Sequence, residues 1–373
     1  MPKSFEVIAE DGKARVGKLK TSHGTFETPF FMPVATKGAV RLICPEDLEE
    51  MGAQALISNA FLLFLRPGID VIEKHKGLHN FMHWHKCIFT DCGGFQILSF
   101  KDGFINKITK EGIKFKSPYD GKVHLLTPKK IMDIEHSIGS DVAMALDHMP
   151  LYEASKEEVA LAVKHTDEWA ELCIEEHKKI NKKGQLLFGI IQGGIFEDLR
   201  KKSAESISNM DFDGVAIGGL CIGETKKEMY KMLDVALPVI PKNKPRYLMG
   251  VGSPEDLVEC ISKGVDIFDS VYPTRNGRHG QVLTSKGYVS IDQAKYKEDM
   301  TKLDEGCDCK MCKKFTKSYI HHLIKRKEML GPRIVSYHNV YFLQNLTKKI
   351  REAIKEGRFE EFKDEFAKNY KRR

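Results

Sequence analysis

The chain has 373 residues, 42% of them hydrophobic and 30% charged, with 59 basic against 52 acidic residues and a formal net charge of +7. These values fit a folded chain with a large core and exclude wholesale disorder, and no apolar run nears the roughly 20 residues that span a bilayer. The charge excess permits an anionic partner without demanding one. The start, Met1 to Glu6, lacks the apolar core of a signal peptide. Nine cysteines, mostly scattered singly, fit a reducing cytoplasm with one local metal cluster better than a disulfide framework.

Short apolar runs recur along the chain and most end in a polar residue or glycine. In order they are Met32 to Thr36, Ala55 to Asn59, Ile88 to Asp91, Val142 to Asp147, Leu186 to Gln192, Gly214 to Gly219, Tyr247 to Gly250 and Val265 to Asp269. They are apolar on both alternations, as strands covered on both faces are. Helical patterns with start signals separate them; Ser155 to Glu158 and Ser253 to Asp256 read as capping boxes, and an amphipathic stretch runs from Glu158 to Ile180. Alternating strands and helices predict a parallel α/β fold, and eight strands predict a (β/α)8 TIM barrel, with a doubly wound open sheet as the rival. Two stretches break the alternation. Residues around 98–127 predict an inserted β-hairpin region, and 280–338 hold a cysteine cluster. The expected organisation is a barrel body over 1–279, a zinc-binding insertion over 280–338, and a basic helical segment over 339–373 packed on the barrel.

In such a barrel the active site lies at the C-terminal ends of the strands. The run ends are Asn59, Asp91, Asp147, Gln192, Gly218 with Gly219, Gly250 and Asp269. Carboxylates and amides of this kind can read the edge of a planar purine, glycines let backbone amides approach it, and two further carboxylates can act as nucleophile and acid/base at a sugar anomeric carbon. Asp266 is the second candidate nucleophile. A metal-dependent hydrolase would also use mouth carboxylates, but no strand-end histidine joins them. Cys307-Asp308-Cys309-Lys310-Met311-Cys312 offers three thiolates to one tetrahedral ion, and spacing leaves His321, His322 and His338 as candidates for the fourth ligand. The loop Pro273 to Gly280 carries Arg275, Arg278 and His279, cations suited to phosphate.

Thr90-Asp91-Cys92-Gly93-Gly94-Phe95-Gln96 resembles the T-D-S-G-G-[FY]-Q motif of tRNA-guanine transglycosylases. Phe268-Asp269-Ser270-Val271 followed by Pro273-Thr274-Arg275-Asn276 resembles their F-D-x-V-x-P-T-R segment, and Gly189 to Gly193, Ile217 to Leu220, Tyr247 to Gly252 and the Cys307, Cys309, Cys312 cluster match in order. The likeness runs from about Phe5 to Asn345, and the length looks like the bacterial type. It implies a (β/α)8 barrel with a structural Zn2+ and exchange of the wobble guanine of a tRNA with a guanine-first anticodon for a 7-deazaguanine base, through a covalent ribosyl-aspartate. By motif, Asp269 would be the nucleophile and Asp91 the general acid/base. Asp147, Gln192, Gly219 and Leu220 would read the purine edge, Phe95 and Met249 would sandwich its faces, and Asn59 and Tyr247 would position ribose and nucleophile. Arg275 and Arg278 would hold the anticodon loop, and His338 would complete the metal site.

The resemblance also implies a homodimer. The chain departs from the family pattern at Ala60 to Leu62, Cys92, His148, Met149, Cys221 and Ile222. Met149 and Ile222 are larger than their counterparts and narrow the wall near the 7-substituent, while Glu224 is kept. The expected incoming base is therefore 7-aminomethyl-7-deazaguanine, with queuine next. A non-catalytic tRNA-binding paralogue or partner subunit is the alternative, and retention of both Asp91 and Asp269 argues against it.

Overall fold

The computed structural model describes residues 4–94, 105–180 and 184–370. It opens with an antiparallel sheet that the sequence reading did not separate from the barrel, made of β1 (Phe5–Asp11), β2 (Ala14–Thr21) and β3 (Gly24–Thr28). The first barrel strands follow as β4 (Phe30–Pro33), β5 (Ala55–Asn59) and β6 (Cys87–Asp91). An antiparallel insert of β7 (Ile105–Thr109), β8 (Gly112–Lys116) and β9 (Val123–Leu126) comes next. The barrel resumes with β10 (Val142–Met144), β11 (Leu186–Ile191), β12 (Gly214–Ile217), β13 (Arg246–Leu248) and β14 (Ile267–Ser270).

All eight predicted runs are strands of one parallel sheet, in the order β4-β14-β13-β12-β11-β10-β6-β5. A parallel bridge from Val34 to Ile57, with the Ala35 amide donating to the Ile57 carbonyl at 2.7 Å, draws the first and last strands together. The barrel is thus nearly closed, and the open-sheet rival is excluded. The first strand begins at Phe30, two residues earlier than the sequence pattern placed it, and ends at Pro33.

Strand periodicity sets what the barrel contains. Phe30 and Met32, Ala55 and Ile57, Cys87 and Phe89, Val142 and Met144, Phe188 and Ile190, Ala216, Tyr247 and Ile267 form one buried cluster inside it. Their neighbours Phe31, Leu56, Ile88, Ala143, Leu187, Ile191, Val215, Ile217, Leu248 and Phe268 join the outer core beneath the helices. Phe5, Leu19 and Phe26 of the N-terminal sheet belong to the inner cluster, so that sheet plugs one end of the barrel. The helix Lys156–Ile180 follows a reciprocal capping box, with Glu158 Oε2 accepting from the Ser155 amide at 2.7 Å. Ser253 caps the helix Pro254–Ser262 through the Asp256 amide.

Beyond β14 come the short helix Tyr272–Arg278, the hairpin of β15 (Gln281–Thr284) and β16 (Gly287–Ser290), and the helices Lys310–Lys314, Lys317–Lys325, Leu330–Lys355 and Phe359–Asn369. Residues 338 and 339 lie within one continuous helix, so no element boundary falls between them. No helix among the described residues is long and apolar enough to cross a membrane.

Asp266 stands one residue before β14 and is fully buried at the plugged end of the barrel. Arg15 Nε donates to its Oδ1 at 2.9 Å and Arg15 Nη2 to its Oδ2 at 2.5 Å, while the Arg246 amide donates to Oδ2 at 2.7 Å. A carboxylate so enclosed at that end cannot attack a substrate at the other, which removes it as an alternative nucleophile. Removing one partner of a buried ion pair leaves the other charge uncompensated. Asp266→Ala should therefore lower the unfolding free energy by about 3–5 kcal/mol in denaturant titration, and a change within error would show that Arg15 finds water instead.

Candidate active site and metal cluster

The same alternation that fills the barrel delivers the site. Two residues beyond Ile57, Phe89, Ile190 and Ile267 stand Asn59, Asp91, Gln192 and Asp269, so each points inward just past the apolar layer. Met249 occupies the equivalent place after Tyr247 and packs against the inner cluster. Asp147 comes from the loop after β10 and is buried. Phe95 lies outside the described residues.

Asp91 and Asp269 have different partners. Asp91 Oδ1 accepts from Asn59 Nδ2 at 2.5 Å and from the Gly93 amide at 2.9 Å. Asn59 is held in turn, because its Oδ1 accepts from the Leu62 amide at 2.7 Å and caps the helix Ala60–Leu65. Burial, then the charge of Asp269, push the Asp91 carboxyl up to about 8, so it holds a proton at neutral pH. Asp269 Oδ1 accepts from the Tyr247 hydroxyl at 2.6 Å and from the Gly250 amide at 2.9 Å. Burial raises its carboxyl as well, but both of these donors oppose that by favouring the ionised form. Gly250 sits at φ +81, a left-handed conformation that glycine adopts without strain.

Asp147 Oδ2 accepts from Gln192 Nε2 at 2.6 Å and its Oδ1 from the Cys92 thiol at 3.2 Å. Burial and the neighbouring Asp147 push the Cys92 thiol well up, so it stays a donor where the related motif has serine. Gln192 Oε1 is buried without a partner. A Cβ on Gly219 would stand 2.4 Å from that oxygen and would force Gln192 to shift, and its φ of +65 strains any larger residue there. His148 turns away to pack beside His165 and Trp169 of the helix Lys156–Ile180, and burial and His165 lower it to about 4. Glu224 accepts from the Cys221 amide at 2.5 Å and the Ile222 amide at 3.1 Å. Cys221 takes φ +62 to allow this.

Arg200 was missed by the sequence reading. It is fully buried, and its guanidinium donates to the carbonyls of Ile191, Gly218 and Gly194 at 3.2, 2.8 and 2.7 Å. It thereby fixes the loops that carry Gln192 and Gly219. Only its place in a helical pattern after Gln192 was visible, and that looks like any surface arginine. Arg41 was missed too. Burial, then Arg41 and Arg275, lower the Arg278 guanidinium, and none of the three forms an ion pair among the described residues.

Cys307, Cys309, Cys312 and His338 are all buried, with their ligand atoms within 4.8 Å of one another. The three sulfurs stand 3.6, 3.6 and 3.3 Å from His338 Nδ1. Tetrahedral zinc with ordinary bond lengths sets a sulfur–nitrogen edge of roughly 3.5 Å, so the set fits a closed Cys3His site. His338 Nε2 lies 2.7 Å from the Leu283 carbonyl and donates to it, which turns the Nδ1 lone pair toward the thiols. His321 is committed elsewhere, through Nδ1 to the Ile291 carbonyl at 2.8 Å. The helix bearing His338 also presses on the arginine helix: a Cβ on Gly277 would meet Ser336 backbone at 2.7 Å, and Asn339 Nδ2 donates to the Pro273 carbonyl at 3.1 Å. Cys309→Ala should therefore reduce bound zinc well below one per chain and lower Tm by several degrees. Full metal-free stability and activity would exclude a structural role.

A family model described as queuine tRNA-ribosyltransferase matches residues 10–372. A queuine tRNA-ribosyltransferase of Halothermothrix orenii is 50% identical over 358 residues, 96% of this chain and 95% of the relative. Those of Anoxybacillus flavithermus and Francisella tularensis subsp. novicida are each 48% identical, over 99% and 98% of this chain and 97% and 99% of theirs. With the match covering nearly every residue on both sides, the chain belongs to the queuine tRNA-ribosyltransferase family.

Proposed function

We propose that this chain is a tRNA-guanine transglycosylase that replaces the guanine of a guanine-first anticodon with a 7-deazaguanine base. The observation that supports the mechanism is a pair of buried carboxyls at one barrel mouth in which burial and the charge of Asp269 push Asp91 up to about 8, so that Asp91 takes the proton, while Asp269 is held by the Tyr247 hydroxyl and the Gly250 amide. Asp269 attacks the ribose anomeric carbon as the bond to guanine N9 breaks. The electron pair passes to guanine, which takes the Asp91 proton. The 7-deazaguanine N9 then attacks the same carbon, its proton returns to Asp91, and the bond to Asp269 breaks. Two displacements retain configuration. Asp147, Gln192 and the Gly219–Leu220 backbone read the purine edge, and Met249 covers one face. Arg275 and Arg278 hold the anticodon loop, Tyr247 and Asn59 position the carboxyls, and zinc holds the Cys3His cluster. Retention of both carboxyls in working surroundings speaks against a non-catalytic paralogue.

The incoming base is 7-aminomethyl-7-deazaguanine. In a trans peptide the carbonyl points opposite to the amide that follows. With the Cys221 amide held by Glu224, the Leu220 carbonyl faces away from that carboxylate, where it can accept from an aminomethyl cation. Buried Met149 narrows the wall against a bulky 7-substituent. The relatives' names point instead to queuine, which makes it the competing reading. The chain works as a homodimer, with exposed Met300 and Tyr319 as contacts, and in a reducing cytoplasm, where nine free cysteines are stable.

Asp269→Asn should lower exchange on the order of a thousandfold or more while tRNA still binds. Near-normal exchange would place the nucleophile elsewhere. The leaving guanine needs a protonated Asp91, so kcat/KM should fall as pH rises through about 8; a profile flat well above that value would remove Asp91 as the acid. In competition for tRNA loaded with labelled guanine, the aminomethyl base should displace label more efficiently than queuine, and a tenfold preference for queuine would reverse the base assignment.

A further inference from the structure

The charge of the chain is concentrated. Residues 105–130 hold seven lysines against two acids, five of the seven excess positive charges of the whole molecule. That stretch is mostly the inserted sheet. Its inner face is apolar and buried through Ile113 and Phe115, and Phe115 meets Phe61 edge to face at 4.8 Å. Phe61 also closes on Gly93, two residues after Asp91, and follows Asn59 by two residues. One layer of side chains therefore separates the sheet from the catalytic mouth.

The outer face is set by the same alternation. Lys107, Lys114 and Lys116 are exposed, and Lys107 stands directly opposite Lys114 across the β7–β8 pair. Like charges in that position are destabilising unless an anion lies over them. Some lysines elsewhere find carboxylates, as Lys226, Lys263 and Lys310 do. Among the described residues the ammonium groups of Lys107, Lys110, Lys114 and Lys116 have no partner, and Lys122 reaches Asp120 only at 3.9 Å.

We propose that this outer sheet face is a second RNA-binding surface, separate from the arginine helix, that grips the phosphates of the double-stranded anticodon arm while the wobble base lies in the barrel mouth. The proposal rests on the transglycosylase reading. The sheet packs through Phe115 on Phe61, which lies against Gly93 at the mouth, so it stands beside the place where an arm would enter, and duplex phosphates provide the repeated charge that a lysine row matches without reading sequence.

The test compares the wild type with a Lys107→Gln/Lys114→Gln/Lys116→Gln variant and with the same three positions changed to arginine. Guanine exchange is measured on full-length tRNA and on an anticodon stem–loop RNA. Exchange by the wild type checks the underlying reading separately. The glutamine variant should raise KM for both RNAs by roughly tenfold and make its log–log salt slope shallower by about two, with kcat, the KM of the free base and Tm unchanged. The arginine variant should keep wild-type values. Unaltered KM and salt slope in the glutamine variant would overturn the proposal. So would an effect confined to full-length tRNA, or an arginine variant as weak as the glutamine one.

Discussion

Three carboxyls, those of Asp91, Asp147 and Asp269, share one poorly hydrated mouth, and burial raises all three. Desolvation and mutual repulsion both oppose ionisation there, so the charged forms persist only where donors are fixed in place. Each donor has a separate origin in the chain. Asn59 and Gly93 serve Asp91, Tyr247 and Gly250 serve Asp269, and Gln192 and Cys92 serve Asp147. The barrel is what brings these distant segments to one point, and the charge of Asp269, acting on buried Asp91, is what sets the two carboxyls apart.

Rigidity at the mouth comes from hydrogen bonds and packing within the protein itself. Asn59 uses its oxygen to cap a helix, which aims its nitrogen at Asp91. Arg200 ties three backbone carbonyls together in the interior, although burial lowers its guanidinium to about 9. That desolvation is tolerable because the carbonyls replace water. Gly219 leaves Gln192 its space, so the loop and the side chain are fitted to each other.

The cysteine cluster lies outside the barrel yet is mechanically joined to the segment that carries Arg275 and Arg278. A single helix, Leu330–Lys355, supplies His338 to the cluster, Ser336 and Asn339 to the segment bearing Arg275 and Arg278, and Gln344 to the Phe31 carbonyl of the barrel. Loosening that helix at its centre would disturb the arginines before it reached the carboxyls.

Much of this was legible in the sequence. Eight doubly apolar runs implied a parallel barrel because strand burial on both faces leaves a period-independent apolar signature. Their polar ends implied the site because strand alternation continues past the core layer. The thiol spacing implied one ion, and it left three histidines open because ligand choice depends on where a distant helix passes. Tertiary structure alone decided that His338 faces the thiols and His321 does not. It set Asp266 at the plugged end, although only two residues separate it from Asp269. It also turned Arg200 from an apparent surface cation into an interior clamp, and gathered the insert's lysines on one face. Local sequence carries periodicity and propensity. Which end of a strand meets solvent, and which side chain meets a partner far away in the chain, depend on closure of the whole sheet.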